Sequence, residues 1–215
     1  MIMTPPLPSI SAGDALWEAT LAIHQSGIPL MSRILPEDGT PAAFQRYPQR
    51  DVVNGDWQAR WFYHCHNPND RADGEHGHFH LFLGRSAFRR DIAPLVPPPD
   101  RRKPRPSIVH IAGLSMDFDG MPAAWFTTNR WVTDEWLYPV DAIIEKIAQI
   151  CFAGDDGDPL VNEWLGTMLR ASRDQVTALL EERDVRLAEC DPTGEDRCIE
   201  IVSRSAIDFD LLLNA

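Results

Sequence analysis

Five of the seven histidines in this 215-residue chain fall between His64 and His80. The segment reads Phe62-Tyr63-His64-Cys65-His66, then nine residues, then His76-Gly77-His78-Phe79-His80. Unprotonated imidazole offers a lone pair near neutral pH and suits zinc, copper, iron and nickel alike. Clustered imidazoles therefore point to coordination chemistry, provided the backbone turns them to one side.

A β-hairpin does this. Side chains on a strand alternate between faces with period two. His64 and His66 then share a face, as do His76, His78 and His80. The opposite face carries Trp61, Tyr63 and Cys65 on one strand and Phe79, Leu81 and Leu83 on the other, a core face that should fix the register. Two registers fit. Pairing His66 with His76 sets His64 against His78 and Phe62 against His80. Pairing His66 with His78 sets His64 against His80 and leaves His76 at the loop. His64, His66 and His78 belong to both sets. The expected ligands are thus His64, His66, His76, His78 and His80, around one transition-metal ion (Fe, Cu or Zn). Three histidines and an open position make a catalytic layout, whereas four closed ligands make a structural one.

Other residues are candidates for supporting roles. Glu75 is a possible ligand or catalytic base, and Arg130 a bidentate anchor for a substrate anion. His110 on the next strand is a candidate further ligand if that strand pairs alongside, and Asn129 a candidate to cap or line the pocket. Cys65 should point away from the histidines, which speaks against a blue-copper site. Asp70 and Asp73 read as loop charges and His24 as structural. No HExxH is present to supply a protease base.

The elements that position these residues read as α+β. Ser11 caps a first helix with Asp14, its stripe is Leu16, Trp17, Leu21 and Ile23, and Gly27 stops it. Strands follow at 51–54, 58–66 and 76–83, then a Pro-rich irregular loop at 91–107. A second hairpin spans 107–117 and 123–133 around Asp119-Gly120. Tyr138-Pro139, Asp158-Pro159 and Ser172 (with Gln175 completing a capping box) each open a helix, and 198–203 alternates as a late strand. The expectation is an antiparallel sheet of two central hairpins, packed against an N-terminal helix and about three C-terminal helices. It forms a single domain over 11–215 behind a flexible tail at 1–10.

Composition narrows the partners. A net charge of −12 argues against nucleic acid, which needs a positive surface. The cluster Arg101, Arg102, Lys103 and Arg105 sits among prolines as a solvated linker. No apolar run is long enough to span a bilayer, no secretory signal is evident, and the four dispersed cysteines read as reduced thiols. These features point to the cytoplasm and to a small-molecule substrate or ligand, anionic ones included. They select no oligomeric state.

Four blocks resemble an uncharacterised bacterial family of unknown function. They are Trp61-Phe62-Tyr63-His64-Cys65-His66, Glu75-His76-Gly77-His78-Phe79-His80, Leu114-Ser115-Met116-Asp117 and Phe126-Thr127-Thr128-Asn129-Arg130-Trp131-Val132-Thr133. The resemblance spans roughly residues 45–190 and implies one domain, but no activity. The residues themselves favour a mononuclear His-ligated metalloenzyme, either a non-haem Fe or Cu oxygenase-like protein or a Zn hydrolase-like one with Glu75 as base. The competing readings are a non-enzymatic metal or haem binder (sensor, carrier or store) and a metal-free, pH-sensitive ligand-binding domain.

Overall fold

The computed structural model describes residues 10–96 and 107–214. The tail before Ile10, the basic cluster at 101–105 and most of the Pro-rich loop lie outside the described residues. Among the described residues six strands form one antiparallel sheet in the order β1 (Tyr47–Asn54), β2 (Ala59–His64), β3 (Glu75–Gly84), β4 (Ile108–Asp117), β5 (Pro122–Thr128) and β6 (Ile201–Ala206). The helices are α1 (Ala12–Gln25), α2 (Arg130–Thr133), α3 (Val140–Ile147), α4 (Pro159–Ala171), α5 (Arg173–Cys190) and α6 (Phe209–Leu213). The chain is α+β, with the strands in sequence order, α1 before them, α2 to α5 between β5 and β6, and α6 last. None of the described helices is long and apolar enough to cross a membrane.

Local chemistry sets the helix ends. The Ser11 hydroxyl accepts from the Asp14 amide at 3.0 Å, and Gly27 takes the left-handed conformation that halts α1. Asp158 caps α4 through the amides of Leu160 and Val161, with Pro159 in the first turn. At α5 the expected capping box does not form. Gln175 instead reaches across to Ser205 and the Ala206 carbonyl, tying the helix to β6.

One sheet face packs on the helices. Trp61, Tyr63, Phe79, Leu81, Leu83, Leu114 and Trp125 meet Leu16 and Ile23 of α1, Ile143 and Ile147 of α3, Leu165 and Met168 of α4 and Leu180 of α5 in one core. On α1 the buried stripe is Leu16, Ala19 and Ile23, while Trp17 and Leu21 are exposed. The Trp61 indole donates to Asn162 of α4 at 2.8 Å, fixing β2 against that helix. Each fully buried large apolar side chain contributes about 1.5–3 kcal/mol. A one-residue slip of β2 or β3 would turn that whole set outward, so the core holds the histidines to the other face.

The first strand is longer than expected, Tyr47–Asn54, the second ends at His64 instead of 66, and two further boundaries move for local reasons. The strand expected over 123–133 ends at Thr128, because the Asn129 side chain accepts from the Arg130 amide and starts α2. The late strand runs 201–206 instead of 198–203, since the Asp196 carboxylate folds back onto the Cys198 amide and keeps that stretch in a turn.

Candidate metal centre

The observed pairing is His64↔His78 and Phe62↔His80, the first of the two expected registers. It brings one ring nitrogen from each of His64, His78 and His80 within 4.8 Å of one another. These three could hold a metal ion. Nε2 of His64 and Nε2 of His78 lie 2.7 Å apart. Two metal–nitrogen bonds of about 2.0–2.1 Å in tetrahedral geometry need roughly 3.3 Å between the nitrogens, so the pair must open by only about 0.6 Å. His66 follows the end of β2, its ring 5.0 Å from that of His64 and 5.2 Å from that of His78. It packs on Phe44 and lines the cavity beside the three, outside their close set.

The partners of these rings fix their proton positions. Glu75 Oε1 lies 2.7 Å from His78 Nδ1, and Glu75 Oε2 accepts from the Ser115 hydroxyl at 2.7 Å, with Arg204 3.6 Å away. Burial alone would raise the Glu75 pKa, but the hydrogen bonds from His78 and Ser115 and the Arg204 charge hold it below the usual carboxylate value. An ionised carboxylate only accepts, so the proton in this bond sits on His78 Nδ1, and His78 Nε2 faces His64. A carboxylate behind a histidine in this way orients the ring and strengthens it as a ligand. Burial, reinforced by His78, His66 and Arg46, pushes His64 down to about 2, and burial lowers His66 and His80 as well. These three imidazoles are therefore neutral near pH 7, the form that coordinates.

Two β-bulges decide which residues share this face. Glu75 pairs with Asp117 and Gly77 with Met116, so β3 carries one extra residue, His76. The bulge interrupts the alternation and exchanges the roles of neighbours. Glu75 joins the histidine face. His76 turns to the helix side, where its Nδ1 lies 2.6 Å from the Tyr63 hydroxyl and its ring meets Phe118 edge-on. His76, expected as a ligand, thus lies outside the cluster. The second bulge places Leu81 opposite Ala112 but Phe82 opposite His110. It turns His110 from the core side onto the histidine face, where its Nε2 is 3.0 Å from His80 Nδ1. His110 is fully buried, and burial with the Arg183 charge pushes it down to about 3. It stands behind His80 as Glu75 stands behind His78.

Asn129 and Arg130 go elsewhere. Asn129 donates to Asp191 at 2.9 Å and to the Ile199 carbonyl, and Arg130 pairs with Asp134 and Glu195. Both are buried braces of the 191–199 connection, because the chain turns into α2 just before them. Neither lines the cavity. Glu75, expected as ligand or base, has both oxygens engaged, one by His78 and the other by Ser115.

The cavity over the histidines measures about 140 Å³ and includes Glu75, Phe126, Thr128, Glu200 and Arg204. Phe126 packs edge-on against His78 and His80. It lies on Gly113, where a Cβ would overlap its ring, so the glycine makes room for this wall. Sequence reasoning missed Arg204 and Ser115, whereas Thr128, at the end of the second hairpin's strand, was expected to border the pocket and does. Period two from His78 across a pairing β4 would have found Ser115, but nothing local marks Arg204, which arrives through β6 opposite Phe126.

No curated protein and no solved structure matches the chain. A family profile described as "Domain of unknown function (DUF6969)" matches residues 10–207, which include every residue of the centre. The chain belongs to that family.

Proposed function

We propose that this protein is a mononuclear metalloenzyme that holds one divalent transition-metal ion on His64, His78 and His80 and acts on a small molecule at the positions left open. One observation carries the reading. Three imidazoles converge beneath a single cavity, with a carboxylate behind one ring and a buried imidazole behind another. Three protein ligands leave room for an exogenous one. The ion would supply Lewis acidity or redox chemistry. The chain supplies orientation through Glu75 and His110, and a wall of Phe126, Val132 and Ile201 that limits access of water.

Glu75 is not free to serve as a hydrolytic base, since His78 and Ser115 occupy its carboxylate. His66, which lines the cavity with its pKa lowered by burial, is the base that a hydrolytic reaction would use. Cobalt(II)-loaded, tag-free protein tests the open position. Azide should change the visible spectrum of the bound cobalt in a saturable way. A cobalt spectrum indifferent to azide would mark a closed, structural site and remove the enzymatic reading.

A further inference from the structure

We infer that the centre takes a short monocarboxylate, its carboxylate recognised by Arg204 with the Thr128 hydroxyl as a second contact. This rests on the metal reading above.

Charge is the first argument. Imidazole coordinates as an uncharged ligand, so a divalent ion held by three histidines keeps its full charge at the ligand shell. The nearest carboxylate, Glu75, faces Arg204 at 3.6 Å, so the two offset one another. The cavity floor is thus left strongly positive and is best completed by an anion. Asp70 and Glu200, exposed at the rim, oppose a second negative charge and favour a monoanion.

The second argument is what the cavity wall leaves unused. Arg204 is about one-third exposed, and among the described residues its one ion pair is with Glu75, through one terminal nitrogen. Arg130 and Arg183, by contrast, are buried and spent on Asp134, Glu195 and Asp184. A guanidinium with free donors suits a planar carboxylate. Thr128 is buried and lines the cavity, yet its hydroxyl has no partner among the described residues. Buried hydroxyls are normally satisfied, and a ligand oxygen would do so here. Alternation puts Thr128 on the same face as Phe126, whose cross-strand neighbour is Arg204.

Size is the third. A cavity of about 140 Å³ holds the volume of roughly four or five waters. That admits a carboxylate with a short tail against Phe126 and Val132, well below the roughly 300–1,000 Å³ of pockets for larger organic ligands.

The test uses cobalt(II)-loaded full-length protein, titrated with glycolate and with its neutral analogue glycolamide, while the cobalt spectrum and the metal content are recorded. Arg204→Gln should weaken glycolate about tenfold or more, the loss of one charge-assisted contact, and leave glycolamide within about twofold. Arg204→Lys should recover part of the loss, and Thr128→Val should weaken glycolate by about threefold or more. Glycolate affinity unchanged in Arg204→Gln, or an equal fall for both ligands, overturns carboxylate recognition while the metal reading stands. Wild-type protein that retains no cobalt overturns both.

Discussion

Replacing Glu75 by glutamine separates a residue that tunes a metal from one that merely fills space. The amide keeps the side-chain shape and can still accept from His78 Nδ1–H, but it loses the charge. A hydrogen bond to a charged group contributes about 1.5–3 kcal/mol and a neutral one about 0.5–1.5. The variant therefore gives up about 1–1.5 kcal/mol of support for the His78–metal bond, roughly a tenfold weaker site. Glu75→Ala removes the acceptor altogether. It strands the Ser115 hydroxyl and the His78 N–H in a buried position, so metal affinity should fall by up to about a hundredfold. Competition with a chelator for zinc or cobalt measures both. Urea unfolding of the metal-free proteins is the control. Glu75→Gln should lose about 1–1.5 kcal/mol there, because the charged bonds to His78 and Ser115 are present without the ion, whereas Glu75→Ala should be less stable by about 1–3 kcal/mol. A Glu75→Gln protein that binds metal as tightly as wild type, within about twofold, would refute the positioning role.

Other substitutions read out other parts of the structure. His76→Phe should leave metal affinity unchanged. It should lower unfolding stability by about 1–3 kcal/mol, because the Tyr63 hydroxyl loses its partner on the helix side; loss of metal in this variant would place His76 back among the ligands. Gly113→Ala should displace Phe126 and cost about 1–3 kcal/mol through overpacking, with weaker metal binding as the accompanying sign. Asp191 ties down the 191–199 connection. Its burial would raise its pKa, but hydrogen bonds from Asn129, the Asp196 amide and Thr193 lower it from 3.8 to about 2. Its folded value is depressed, so its contribution is complete above pH 3.8 and is lost as pH falls through about 2. Acid unfolding of Asp191→Asn should accordingly show a shallower slope in that window than wild type, and equal slopes would contradict the assignment.

Much of the site was legible because a strand writes its faces into the sequence. Alternation around Phe79 and Leu81 placed His64, His78 and His80 together, and placed Cys65 on the core side. It misled at His76 because an uninterrupted pleat was assumed. A bulge adds one residue without a sequence mark as plain as a turn, and the same device that expelled His76 admitted Glu75. Arg130 was read as a substrate anchor because it stands next to β5, but the cap at Asn129 begins a helical turn and carries it to Asp134 and Glu195. Arg204 could not be found locally. Its place depends on β6 pairing with β5 across more than seventy residues of intervening helix and loop.

Metal stoichiometry in a histidine series bears most directly on the central claim. Tag-free protein loaded with zinc or cobalt and then dialysed should hold one ion per chain by elemental analysis. His64→Ala, His78→Ala and His80→Ala should each lose it, while His24→Ala and His76→Ala keep it. A wild-type protein that retains no ion, or an ion that survives in His78→Ala, would contradict the account.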